Sequence, residues 1–355
     1  MKFKLIIVTT CVYILSATPV LSHHSRANFV FDQTTTLVGK ITKNRWRNPH
    51  VYLELQTTNK NNEVENWLIE GGTPTALRRQ GWSKDTVKVG DNVVIVGNPD
   101  RNSEKNFLLI ASLVREDGKK FSVENHSRPT AKGEKKPPAE KPIVTPSEDF
   151  SGTWGPKPGT INAVSGYYNR PPNDWPLTKL GESIVAQYDN VENPAHSCIE
   201  RGVPLFNTYP YLQLWTRHED RIDMKAQQST LMRTFYLNLN EHPGDLEPSV
   251  MGHSIAHFEN DGSLLVDTIG FSNNVKWGLA PGVNSSDQKH VIERYTLTED
   301  GLSMDFSITL EDPIYLSKPV TVTGKYNKVP EAPFEPYDCD PDNASIHLSA
   351  PTKSP

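Results

Sequence analysis

The sequence predicts a mainly β protein made of two barrels, a small five-stranded one followed by a larger antiparallel meander. Three observations carry this. Short apolar stretches alternate with polar residues at a period of two, tight-turn residues separate them, and a Pro- and Lys-rich stretch divides the chain.

The chain opens with Met1, Lys2 and Lys4, an apolar run from Leu5 to Leu15, and small residues ending Val20-Leu21-Ser22. A charged start, a short apolar core and small residues at minus three and minus one form a secretory signal, so residues 1–22 are expected to be removed by a cut after Ser22. The run is shorter than the roughly 20 residues that cross a bilayer. No membrane span is expected after cleavage, and the protein is expected in the periplasm or outside the cell.

Residues 23–124 read as the first domain. "TTLVGKITKNRWR" and "HVYLELQ" alternate, "ENWLIEG" follows, and "TPTALRRQGW" is a short helix with Thr73 as N-cap and Pro74 at its first position. "VGDNVVIVGNP" and "FLLIASLVRE" complete the set. Three strands, a helix and two strands is the order of an OB-like five-stranded barrel.

The next segment, residues 125–149, holds five prolines and no apolar periodicity, as an exposed linker does. Residues 150–345 form the second domain. "DFSGTWGP" opens a loop-rich stretch in which "PLTKLGESIVAQYD" is the best helix, with Leu177, Leu180, Ile184 and Val185 at helical spacing. About eight strands then follow, from "YLQLWTRH" to "VTVTGKY", several joined by turns such as Glu-Asn-Asp-Gly. Sequential hairpins imply an antiparallel meander closed into a barrel able to hold one small ligand. Residues 346–355 are expected to be a disordered tail.

A formal charge of −5 argues against nucleic acid as a partner, and loss of Lys2 and Lys4 with the signal makes the chain more acidic still. With Cys11 inside the signal, Cys198 and Cys339 remain. An even count in an oxidising compartment predicts one disulfide, the alternative being two unrelated thiols.

Gly-x-Trp at residues 152–154 resembles the opening of lipocalins, which makes the second barrel calycin-like. "HHS" at residues 23–25, Trp46-x-Asn48-Pro49-His50, "GTPTALRRQGW" and "VGDNVVIVGNP" resemble an uncharacterised family of exported bacterial proteins, over most of residues 23–115. "MGHSIAHFENDGSLLVDTIGF", "HVIERYTLTEDGLSM" and "LEDPIYLSKPVTV" resemble a second uncharacterised exported module. Its usual Arg and Trp are replaced here by His257 and Phe258, and its Pro-His-Ser by Val283-Asn284-Ser285. Both resemblances imply export and two modules, and neither implies an activity.

Alternation assigns the candidate site. Arg233, Glu293 and Asp267 each interrupt an apolar face, and His253 shares a face with Ile255. All four are expected to point into the barrel. A lone buried charge is costly, so Arg233 should pair with Glu293. Such a pair either closes the barrel as structure or holds a ligand. His253 with Asp267 would make an acid–base couple.

A second site is at the new N-terminus, where the α-amine and imidazole of His23, with His24 and His50, would suit Cu(II). No nucleophile elbow, phosphate loop or zinc-spaced cluster is present, and Ala256 spoils Gly-x-Ser-x-Gly after Gly252. The leading expectation is an exported protein binding a small apolar or amphipathic molecule in the second barrel. A copper-binding or copper-dependent redox protein and a His/Asp enzyme are the alternatives.

Overall fold

The protein is described by a computed structural model covering residues 28–123, 149–157, 159–161, 171–209, 211–330, 334–335 and 337–353. The expected signal, His23, His24 and almost all of the expected linker at 125–149 lie outside the described residues.

In the first domain β1 (Thr35–Arg45), β2 (Tyr52–Thr58) and β3 (Val64–Glu70) form an antiparallel sheet. Next come α1 (Pro74–Arg79), β4 (Asn92–Pro99), β5 (Phe107–Arg115) and the short β6 (Lys120–Ser122). β4 pairs with both β1 and β5, and β5 runs parallel to β3, which closes a five-stranded barrel with the OB order. β6 is an addition to the edge of β5 that the sequence pattern did not indicate.

The predicted helix start holds, because Thr73 accepts a hydrogen bond from the Ala76 amide and Pro74 sits in the first turn, where a missing N–H costs nothing. Alternation on β4 buries Val93 and Ile95 against Ile41, Leu55, Ile69 and Leu113. Each such side chain contributes roughly 1.5–3 kcal/mol. Gly97 is required by a close crossing, since a methyl group there would meet the Leu109 carbonyl where the β4–β5 register shifts.

The second domain contains β7 (Gly152–Pro156), α2 (Lys179–Val185), α3 (Leu205–Thr208), β8 (Gln213–Arg217), β9 (Arg221–Ala226) and β10 (Met232–Tyr236). After these come β11 (His253–Phe258), β12 (Leu264–Ile269), β13 (Val275–Ala280), β14 (Val283–Ser285), β15 (His290–Leu297), β16 (Ser303–Glu311) and β17 (Val320–Lys328). Nine of these strands close a barrel, while β13 and β14 form a separate ribbon.

Two features depart from a simple meander. β7 is a barrel strand, not the start of a loop region, and it joins β17 to β8. β10 and β11 run parallel, because residues 237–252 cross over between them instead of turning back in a hairpin. Within α2 the cap is Thr178, and Leu177, Ile184 and Val185 pack on the core, but Leu180 is exposed.

The C-terminal segment is the main correction to the sequence reading. Glu335 accepts hydrogen bonds from Thr75 and Arg78 on α1. Cys339 bridges to Asn48 and is disulfide-bonded to Cys198. The helix α4 (Pro341–Ser345) places Asn343 so that its amide donates to the His50 carbonyl at 2.7 Å. Far from being disordered, Ile346–Ser349 form a 3-10 turn, Ala350 packs with Phe29 and Phe107, and Thr352 bridges to Lys105. Residues 346–353 therefore lie on the first barrel, while the Cys339 disulfide ties the same segment to Cys198 of the second.

Candidate functional site

Both an ion pair and a ligand are expected in the interior of the larger barrel. On β10 alternation turns Arg233 and Phe235 inward, and on β15 it turns Val291, Glu293 and Tyr295 inward. Arg233 and Glu293 are almost wholly buried and form a two-pronged pair, with Nη2 to Oε2 at 2.6 Å and Nη1 to Oε1 at 3.1 Å.

Most of their remaining valences are met nearby, while Arg233 Nε has no partner among the described residues. Glu293 Oε1 also accepts from Tyr295 at 2.7 Å and from Asn207 of α3 at 3.0 Å. Arg233 donates further to Asn207, Ser254 and Thr268. Burial, with the Glu293 charge beside it, pushes the Tyr295 hydroxyl well above its usual pKa, so it stays a donor.

Around this network the space is taken by Trp154, Trp215, Phe235, Phe306 and Tyr326, in one continuous core. Gln213 binds the Asn207 carbonyl and the Tyr326 hydroxyl, and Trp215 donates to Gln213. The interior expected to hold a small ligand is thus filled by aromatic rings and a hydrogen-bonded ion pair.

His253 and Asp267 lie on the other side of the wall, which corrects their expected inward placement. Their neighbours Ser254, Val266 and Thr268 face the core, and His253 and Asp267 face outward. Alternation identifies which residues share a face but not which face is inside. Here the outer face also carries apolar residues, Ile255, Leu265 and Ile269, all half-buried.

On that outer face the histidine and the carboxylate do not touch. His242, from the 237–252 crossover, stands between them, with Nδ1 2.9 Å from His253 Nδ1 and Nε2 3.0 Å from Asp267 Oδ1. The second Asp267 oxygen lies 3.0 Å from His290 Nε2, and His290 Nδ1 is 3.4 Å from Glu311. The sheet explains the second half of this chain, because His290 at the start of β15 is directly opposite Glu311 at the end of β16. The sequence reading missed His242, His290 and Glu311. Strand register exposes the last two, whereas His242 is supplied by a crossover with no periodic pattern.

The hydrogen-bond pattern dictates the tautomers. Asp267 is a carboxylate and can only accept, so His242 and His290 each present an Nε2–H. A neutral His242 then has a bare Nδ1, which must accept from His253 Nδ1–H. The proton-free nitrogen of His253 is Nε2, which carries no protein hydrogen bond among the described residues. Burial, then the neighbouring His242, lowers the His253 pKa. Burial works to raise the Asp267 pKa, but hydrogen bonds from His290 and His242 outweigh it, and the carboxyl titrates below its usual range. Tyr236 stacks on His253 with ring centres 5.0 Å apart and fixes the ring.

Of the remaining expected residues, His50 has Nδ1 3.7 Å from Glu70 and its ring edge-on to Tyr52. No group of three metal-ligating side chains converges among the described residues.

Residues 12–108 match the profile of a family of unknown function, DUF6152. No curated protein matches the chain. One solved structure it is similar to is a protein of unknown function of the DUF3598 family from Nostoc punctiforme. The two share 10% identity at a TM-score of 0.22, over 86% of this chain and all of that one.

Proposed function

We propose that this is an exported protein whose larger barrel is an acid–base enzyme working from its outer wall. His253 is the base, His242 relays the proton, and Asp267 orients and charges the relay. The observation that carries the reading is the unbroken chain from His253 through His242 to Asp267 and His290. A carboxylate behind an imidazole fixes its tautomer and stabilises its charged form, the arrangement that lets histidine take a proton at neutral pH. The lowered His253 pKa keeps Nε2 free for that task. Export is supported by the residue pattern before His23 and by the Cys198–Cys339 bond, which suits an oxidising compartment.

The test has two parts. Nitrogen-15 NMR of labelled histidines is expected to show Nδ1–H on His253 and Nε2–H on His242 and His290, and Asp267→Asn should change the His253 titration. A panel of chromogenic esters and glycosides is expected to reveal turnover that His253→Gln removes, with a rate rising as His253 loses its proton. Independent titration of the three rings would sink the relay. Turnover unchanged in His253→Gln, or none on any substrate, would sink the enzyme.

A further inference from the structure

The first barrel carries a cleft of about 530 Å³ that the histidine chain does not use. It is built at the β1–β2 corner, one of the loop regions where OB-type barrels take ligands. Its floor is the end of β1, its near wall residues 84–85, and its far wall Asp340 of the C-terminal segment. Asn44 pins the near wall, since its amide donates to the Lys84 and Val87 carbonyls at 3.1 and 2.8 Å. The far wall is held by Arg47, 3.3 Å from Asp340, and by the hydrogen bond of the Asp340 amide to Asn48.

The lining has a definite chemistry. Trp46 packs one side on the barrel core, and its indole nitrogen is shielded from solvent with no hydrogen-bond partner among the described residues. Lys84 has no acid within ion-pairing distance among the described residues, and Lys43 reaches Glu54 only at 3.9 Å. Arg45 is already engaged by Glu54. Beside an aromatic ring there thus stand one ammonium without an acidic partner, Lys84, and a second, Lys43, in a long and exposed ion pair. Asp85 and Asp340 supply acceptors on the same cleft.

We infer that this cleft binds an oligosaccharide bearing carboxylate or sulfate groups. The ring stacks on the apolar face of a sugar, the lysines meet the acidic substituent, and the two aspartates accept from sugar hydroxyls. The volume falls within the roughly 300–1,000 Å³ of small-ligand pockets. A nucleic-acid strand suits the site less well, because Asp85 and Asp340 would face its phosphates and the whole chain has a formal charge of −5.

The experiment uses the full-length disulfide-bonded protein and titrates tetragalacturonate, a heparin tetrasaccharide, neutral cellotetraose and a short oligothymidylate by calorimetry. Binding of either acidic sugar is expected, with cellotetraose at least tenfold weaker. The exposed pair Lys43→Gln/Lys84→Gln should lose at least tenfold, and Trp46→Leu, which removes the stacking ring, about fivefold. Folding of each variant is checked by thermal melting, and the Trp46 indole proton should shift on binding. Three results would overturn the inference: no binding of either acidic sugar at millimolar concentration, affinity unchanged in the lysine variant, or tighter binding of the oligothymidylate. None of these results bears on the histidine chain.

Discussion

The Arg233–Glu293 pair permits a quantitative test of what holds the larger barrel closed. Glu293→Leu leaves the Arg233 guanidinium buried with only Asn207, Ser254 and Thr268 as neutral partners. Arg233→Met leaves Glu293 with Tyr295 and Asn207 alone. Stranding one member of a buried pair costs about 3–5 kcal/mol, a large share of the roughly 5–15 kcal/mol that keeps a domain folded. The double variant strands no charge. Its loss is confined to neutral groups left short of a partner, each about 1–3 kcal/mol at most, and part of that is recovered by apolar packing. The double variant should therefore be more stable than the sum of the single losses predicts, by about 3 kcal/mol or more. Urea unfolding followed by near-ultraviolet circular dichroism reads this, because Trp154 and Trp215 lie in the same core. Additive losses would refute the argument, since they would mean that the two charges do not depend on each other.

Two further outcomes follow from the packing. Lys289 is buried against Phe271, with its ammonium 3.0 Å from the Val203 carbonyl, and burial lowers its pKa to about 7 although Asp312 opposes the shift. The unfolded chain holds that proton up to about pH 10.5. Between the two values the unfolded state binds more protons, so stability rises with pH, while below about 7 the folded state bears the full burial cost, of order 5 kcal/mol. Lys289→Met should flatten this rise between pH 6 and 9.5 in chemical denaturation, and an unchanged slope would assign it to other groups. The Cys198–Cys339 bond closes a separation of 141 residues, for which loop-closure entropy gives about 5 kcal/mol. The double serine variant should lose several kcal/mol and expose residues 334–353 to protease, and equal resistance in both proteins would mean that docking alone holds the segment.

What the chain reveals unaided is local, and the rest depends on which surfaces meet. Alternation located most strands, Thr73 and Pro74 marked a helix start, and the charges interrupting the stripes of β10 and β15 announced a pair, because a buried ion needs its opposite. Period-two patterning is blind to which side of a wall is the core when both carry apolar residues. His253 and Asp267 were for that reason read onto the wrong side, and the ring that links them arrives from a crossover without periodicity. The same limit hid β7, too short to alternate visibly, and the docking of the C-terminal segment, of which residues 346–355 were expected to be a disordered tail. That segment is held by backbone carbonyls of residues 47–50 and by Cys198, partners brought to it only when both barrels are formed. The sequence alone determined the two barrels, the buried ion pair and the cysteine pairing, while tertiary contact decided the histidine chain and the docking of the chain end, since only folding brings residues this far apart within hydrogen-bonding distance.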